Sequence, residues 1–362
     1  MRRVTKLAAV VLSGSLGITS LAACGSTSDS ASSTGGSSAT AAAGADGSSG
    51  VKVGLAFDIG GRGDQSFNDS AARGLDKAKK DLGIESKELS PGANETEADK
   101  TQRLKDLAGD GYNPVIAIGF SYAGPLAKVA AEYPNVKFAI VDSVVDAPNV
   151  TSLVFTEEQS SYLVGVAAAL KSKTHKVGFI GGVNVPLINK FEAGFTAGVK
   201  ETDAHTSVTV QYLSQPPDNK GFASPDLGKA AAQGMLDKDI DVVYAAAGSS
   251  GNGAIEAAAA KHAWAIGVDS DQYKQSALAK YKSAILTSAI KNVDVAVTEY
   301  IKSAKSGTIL TGTQTFDLKR EGVGYSTANP AFASDTATVA KLEKAKKAII
   351  DGTITPPTTV KK

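Results

Sequence analysis

Apolar and polar positions fall into repeating blocks along this chain. Short continuous apolar runs read as strands: VKVGLAF, NPVIAIGF, KFAIVDS, NVTSLVF, KVGFIGG, SVTVQYL, DVVYAAAG, WAIGVDSD and AILTSAI. Most are followed by apolar residues at helical spacing, such as Ala71, Leu75 and Ala78 within a helix expected over about 66–82. Tyr162, Val166 and Leu170 recur in the same way through EEQSSYLVGVAAALKSK, and further helices are expected over about 188–201 and 227–236. AGPLAKVAAEY, GAIEAAAAKH and NVDVAVTEYIKSAKS complete the set, with a short helix after WAIGVDSD. Strands that are apolar throughout belong to sheets covered by helices on both faces. Repeated strand–helix units therefore specify an α/β fold with mainly parallel sheets. One very large sheet or a closed eight-fold barrel would satisfy the same rhythm. Two lobes are preferred, because PNVTSLVFTEE interrupts the rhythm near its middle and GTILTGTQTFDLKREGVGYS adds a strand-rich segment near the end. Both stretches suit hinge strands passing between domains.

The ends of the chain lack this pattern. Residues 1–23 join a basic MRRVTK to a short apolar, small-residue stretch, the layout of a secretory signal peptide. It closes on Leu21-Ala22-Ala23-Cys24, which looks like the lipobox of bacterial lipoproteins. Cys24 is the single cysteine in 362 residues, so no disulfide can form within one chain. A lipid on Cys24 would hold the protein at the extracytoplasmic face of the cell membrane without a membrane-spanning helix. Residues 24–50 carry no large apolar side chain and are expected to form a disordered tether, its ends roughly 25–30 Å apart. Residues 356–362 form a polar tail. Between lie on the order of 300 residues, enough for two domains. The net charge of +1 and the lack of a long basic run argue against nucleic-acid binding.

Ligands of open parallel sheets sit beyond the carboxyl ends of the strands. There the sequence puts Asp58, in FDIGGRGDQSFND, and then Asp142 after KFAIV. Gly248, Gly251 and Gly253 follow DVVYAAA, Asp269 follows WAIGV, and Lys291 follows AILTSAI. A lone strand-end aspartate is most often a cap or turn residue; three at equivalent positions point to a shared pocket. AAAGSSGNG lacks the Gly-Lys-Ser/Thr of a phosphate-binding loop, and the carboxylates around it would repel phosphate. His175, His205 and His262 are scattered without metal or catalytic spacing, and Trp264 reads as core.

These blocks together resemble the basic-membrane-protein family, purine-nucleoside-binding lipoproteins of ABC importers. The likeness runs through DIGGRGDQSFND, VDSVVDAPNVTSLVFTEEQSSYLVGVAAA, GFIGGVNVPLINKFEAGFTAGV, AAAGSSGNG, and IGVDSDQ followed by TSAIKNVD. The resemblance implies a type I periplasmic-binding-protein fold, two Rossmann-like lobes joined by hinge strands. The N-terminal lobe would span 51–152 with 289–314 returning to it, and the C-terminal lobe 153–288 with 315–355. It further implies that Asp58 and Asn68 hydrogen-bond a base and that Phe67 stacks on it, with Phe222 as the opposing wall. Asp142 and Asp269 would accept from ribose hydroxyls, Gly248 and Gly251 would admit the sugar, and Lys291 would complete its site. Partners would be a nucleoside and an ABC permease, with no cofactor or metal, and the protein a monomer. A sugar-binding protein, a nucleoside sensor and a nucleoside hydrolase are the alternatives. Asp58 and Asp64, six positions apart, lack the dense acid cluster a hydrolase needs for calcium.

Overall fold

In the computed structural model, residues 50–360 are described; the expected signal peptide, Cys24 and nearly all of the tether lie outside the described residues. The strands divide between two sheets. The first contains β1 (Lys52–Ala56), β2 (Glu85–Leu89), β3 (Val115–Ile118), β4 (Phe138–Val141), β5 (Val150–Phe155) and β11 (Gly312–Phe316). Their spatial order is β2–β1–β3–β4–β5–β11, all parallel. The second contains β6 (Lys176–Val183), β7 (Ser207–Ser214), β8 (Val242–Ala246), β9 (Trp264–Asp269), β10 (Ile285–Lys291) and β12 (Val323–Tyr325). Its order is β7–β6–β8–β9–β10–β12, with β12 antiparallel. This is the two-lobed α/β arrangement expected.

Helices cover both faces of each sheet. In the first lobe α1 (Phe67–Leu82) and α8 (Val293–Lys305) pack together on one face, and α2 (Glu97–Gly109) and α3 (Ala123–Glu132) on the other. Alternate residues of β3 serve the two cores: Ile116 and Ile118 face α1, Val115 and Ala117 face α2 and α3. In the second lobe α4 (Glu157–Lys171) pairs with α5 (Pro186–Thr202), and α6 (Pro225–Leu236) with α7 (Ser250–Ala260). The short α9 (Pro330–Ala333) leads into α10 (Thr336–Ile350), which packs on α4. Gly194 and Gly198 let α5 lie directly on the backbone of α4, where a Cβ would collide with the carbonyls of Glu158 and Tyr162. That contact fixes the start of α4, which matters below.

Among the elements outside the expected set are β2 and α2. β2 is the polar ESKEL, an edge strand with only one covered flank, so it needs no apolar run. α2 is announced by a capping box, Thr96 and Asp99, each side chain accepting from the other's backbone N–H.

The chain passes between sheets after Phe155, after Lys291 and after Phe316. These crossings correct the boundaries expected at 152, 288 and 314. Each strand keeps its ladder to the last residue: Phe155 pairs with Phe316, and Lys291 with Val323. The three crossings adjoin one another, for the Phe155 and Phe316 rings stack at 5.3 Å and the Asn292 N–H donates to the Gly322 carbonyl at 2.8 Å.

Candidate functional site

The carboxyl ends of both sheets face one cleft, enclosing about 560 Å³ of atom-free space that includes the open solvent at its mouth. Of the residues expected there, Asp58, Phe67, Asn68, Asp142, Phe222, Gly248, Asp269 and Lys291 line it together. Gly251 does not. It lies in the first turn of α7 against Ala245, and its N–H is spent on the Gly248 carbonyl at 3.0 Å. The glycine of that loop that borders the cavity is Gly248, at φ 54°, where an added Cβ would collide with the Phe222 carbonyl.

The loop after β1 is built around Asp64. Its carboxylate accepts from the N–H groups of Ser66 (2.8 Å), Asn68 (2.8 Å) and Asp69 (3.1 Å), and from the Asn68 amide (3.0 Å). Asn68 also donates to the Ile59 carbonyl and accepts from the Asp58 N–H at 3.1 Å. Its side chain is therefore largely committed to the loop, leaving one lone pair of Oδ1 for anything else. Asp58 accepts through Oδ1 from the Ile59 N–H and the Ser121 hydroxyl, both at 2.8 Å. Burial pushes its carboxyl above the ordinary range, opposed by those two bonds and by the charges of Lys100 and Arg103. Gly119, at φ 108°, is the neighbour that makes room, since a Cβ there would strike the Asp58 carboxylate. Behind this wall Tyr122 donates to the Phe57 carbonyl at 2.8 Å and is held by Arg103, itself paired with Glu95.

The hinge side of the cleft is charged. Lys291 Nζ stands 2.5 Å from Asp142 Oδ2, with the rings of Phe67, Phe155 and Phe191 at 4.9, 5.3 and 5.5 Å. Burial pushes the amine down, yet Asp142, Glu157 and Asp269 together hold it above the ordinary lysine value. Asp142 and Asp269 both adopt left-handed backbone, φ 68° and 61°, which aspartate tolerates better than most residues. The Asp142 Oδ1 is buried and has no hydrogen-bond partner within the protein. Asp269 is pushed up to about 6 by burial, against the pull of Lys291 and the hydroxyl of Ser66, which donates to Oδ2 at 2.8 Å.

The lobes are closed on each other. Besides the Ser66–Asp269 bond, Ser270 donates to the Ser66 carbonyl (2.6 Å), Asn252 to the Asp64 carbonyl (3.2 Å) and Gln272 to the Gln65 carbonyl (3.2 Å). Phe120 from the first lobe meets Phe222 from the second edge-to-face at 6.2 Å. Phe120, Phe191, Ile188 and Asp64 also line the cavity without having been expected there. Phe120 lies two residues past β3, so the strand-end rule would have found it had aromatic residues been counted. No histidine, serine or cysteine lines the cavity among the described residues. Its chemistry is that of a binding site: hydrogen-bond acceptors and one ammonium at the polar end, flat apolar faces beside them.

The family model described as "ABC transporter substrate-binding protein PnrA-like", Bmp, matches residues 51–359. The chain belongs to the Bmp family. A Lactococcus lactis relative named "ABC transporter nucleoside-binding protein BmpA" is 36% identical over 341 residues, 86% of this chain and 92% of that protein. A Listeria monocytogenes relative named "CD4+ T-cell-stimulating antigen" is 36% identical over 354 residues, 93% and 94% of the two chains. An uncharacterized lipoprotein of Pyrococcus abyssi is 34% identical over 287 residues, 76% and 69%. Among solved structures, an ABC transporter solute-binding protein from Aeropyrum pernix K1 superposes with a TM-score of 0.74 at 28% identity, covering 85% of this chain and 94% of that one. This Bmp-family protein is thus an ABC transporter substrate-binding protein, a role that implies a small-molecule ligand. No helix among the described residues is long and apolar enough to cross a membrane.

Proposed function

We propose that this Bmp-family protein captures a nucleoside, a purine nucleoside first, and delivers it to an ABC permease from an anchor at Cys24. The observation that carries this reading is the unpartnered Asp142 Oδ1, a buried acceptor beside an ammonium and next to aromatic walls. A buried acceptor without a donor is costly, and a ribose hydroxyl would supply the donor. In this reading Asp142 and Asp269 take the ribose hydroxyls, Lys291 donates to the sugar, and Gly248 leaves room for it. The base lies on Phe67 with Phe222 opposite, and Asp58, helped by the spare lone pair of Asn68, reads its polar edge. Four carboxylates lining the cavity, those of Asp58, Asp64, Asp142 and Asp269, disfavour a phosphorylated ligand. The name of the Lactococcus lactis relative supports the ligand class, and that of the Pyrococcus abyssi relative supports the lipid anchor.

The test is calorimetric titration of residues 48–362, a compact unit of its own, refolded to strip bound ligand. Adenosine, guanosine, inosine, cytidine, uridine, ribose and free adenine are compared. Tight binding of nucleosides with ribose and adenine weak supports the reading. Ribose binding as well as any nucleoside would make this a sugar-binding protein and remove the stacking role of Phe67.

A further inference from the structure

Glu157 takes no part in the binding scheme above, yet its side chain is only 1% exposed. It opens α4, two residues after the first crossing between lobes, and Lys291 ends β10 at the second. Glu157 Oε1 lies 3.5 Å from Lys291 Nζ and makes no hydrogen bond, while Oε2 lies 3.2 Å from Lys190 Nζ. Lys291 therefore has two carboxylates beside it, a near one on Asp142 and a farther one on Glu157.

These three groups do not travel together. Lys291 belongs to the second sheet, and α4 packs on α5, α10 and β10 of the same lobe. Asp142 follows β4 of the first sheet. Rotation of the lobes about the crossings moves Asp142 relative to Lys291, but keeps Glu157 beside it, with Asp269 of β9 as the other acid of the same lobe that acts on the ammonium. An ammonium in so apolar a setting is strongly disfavoured without a counter-ion.

We propose that Glu157 is a positioning residue, the counter-ion that holds Lys291 while the lobes are apart and yields it to Asp142 as they close. The closed structure has the distances this exchange requires, short to Asp142 and long to Glu157. In that state Glu157 is the surplus acid. Burial pushes its carboxyl above the ordinary range, Lys291 and Lys190 pull it down, and Asp142 pushes it further up. The proposed function enters only where Lys291 touches ligand; the exchange itself needs none.

Small-angle scattering of ligand-free residues 48–362 tests it, with Glu157→Gln and Asp142→Asn, both close in shape to the native side chain. Losing the charge of Glu157 leaves Lys291 in the open state with only the Asp269 carboxylate of its own lobe, which burial disfavours as an anion, so that variant stays closed. Losing the charge of Asp142 leaves Lys291 with Glu157, so that variant opens. Against a radius of gyration of about 20 Å for a compact chain of this length, Asp142→Asn should exceed Glu157→Gln by about 1 Å. In a Lys291→Met background the two substitutions should give equal radii. Equal radii in the native background, or the reverse order, would overturn the exchange, as would a difference that survives Lys291→Met. Should Glu157→Gln fail to fold, Asp142→Asn must still be more extended than the native protein. A native protein that binds no nucleoside would sink the proposed function and leave these radii to judge the exchange.

Discussion

Asp64 and Asp142 both hold inaccessible carboxylates on the cleft wall, each following a strand of the first sheet, and they do opposite work. Asp64 accepts four hydrogen bonds from its own loop. A carboxylate has about four such places, so Asp64 is full. Asp142 makes one contact, to Lys291, and keeps an oxygen with no partner. The first is a brace that shapes the wall, the second keeps acceptor capacity that the protein itself does not use. Position at a strand end does not separate the two roles. The unspent hydrogen-bonding capacity does.

Removing Asp142 should have the largest effect. Asp142→Ala is expected to weaken nucleoside binding by about 100-fold, close to 3 kcal/mol, by loss of charge-assisted bonds. Titration alongside ligand-free melting would break the contrast if affinity were unchanged. Asp269 follows, through pH. Its carboxyl is raised in the folded state to about 6 from 3.8, so its stabilising contribution is complete below about pH 4 and lost as pH rises through 6. Ligand-free native protein should therefore lose roughly 3 kcal/mol relative to Asp269→Asn across that interval, read from urea midpoints at several pH values. Asp64→Ala should cost about 2 kcal/mol of folding stability by orphaning the donors it serves. If it instead lowered affinity with stability intact, Asp64 would belong with Asp142. Phe67→Ala should cost about 1–3 kcal/mol of nucleoside affinity through lost stacking; a much smaller loss would move the base elsewhere. Least of all, Gly251→Ala should change affinity by under about 0.5 kcal/mol, because a Cβ there meets only Ala245 at ordinary contact distance.

Much of this was legible before any coordinates. The apolar runs are strands of both sheets, all central except SVTVQYL, which is the edge strand β7, and the strand-end rule gathers Asp58, Asp142, Gly248, Asp269 and Lys291 into one cavity. What escaped it had physical reasons. Gly251 sits only three positions from Gly248, but α7 begins between them and turns it away. Phe191 and Ile188 reach the cavity from a helix face, and which face of α5 looks into the cleft depends on its packing against α4. Glu157 reads as an ordinary acid in the first turn of a helix; its burial follows from two crossings that lie far apart in sequence. Polar β2 carries no apolar signal because it is an edge.

The sheet order has one further consequence. Each lobe takes its last strand from late in the chain, β11 at 312–316 for the first and β12 at 323–325 for the second. A chain emerging from its N-terminus therefore cannot finish its first lobe when the residues of β5 are out; it must wait for more than 150 further residues, and by then the second lobe is nearly complete too. Such distant pairings are slow to form. Both halves of the cleft thus mature together only once residues 312–325 are in place, and until then the strand β5 carries an open edge.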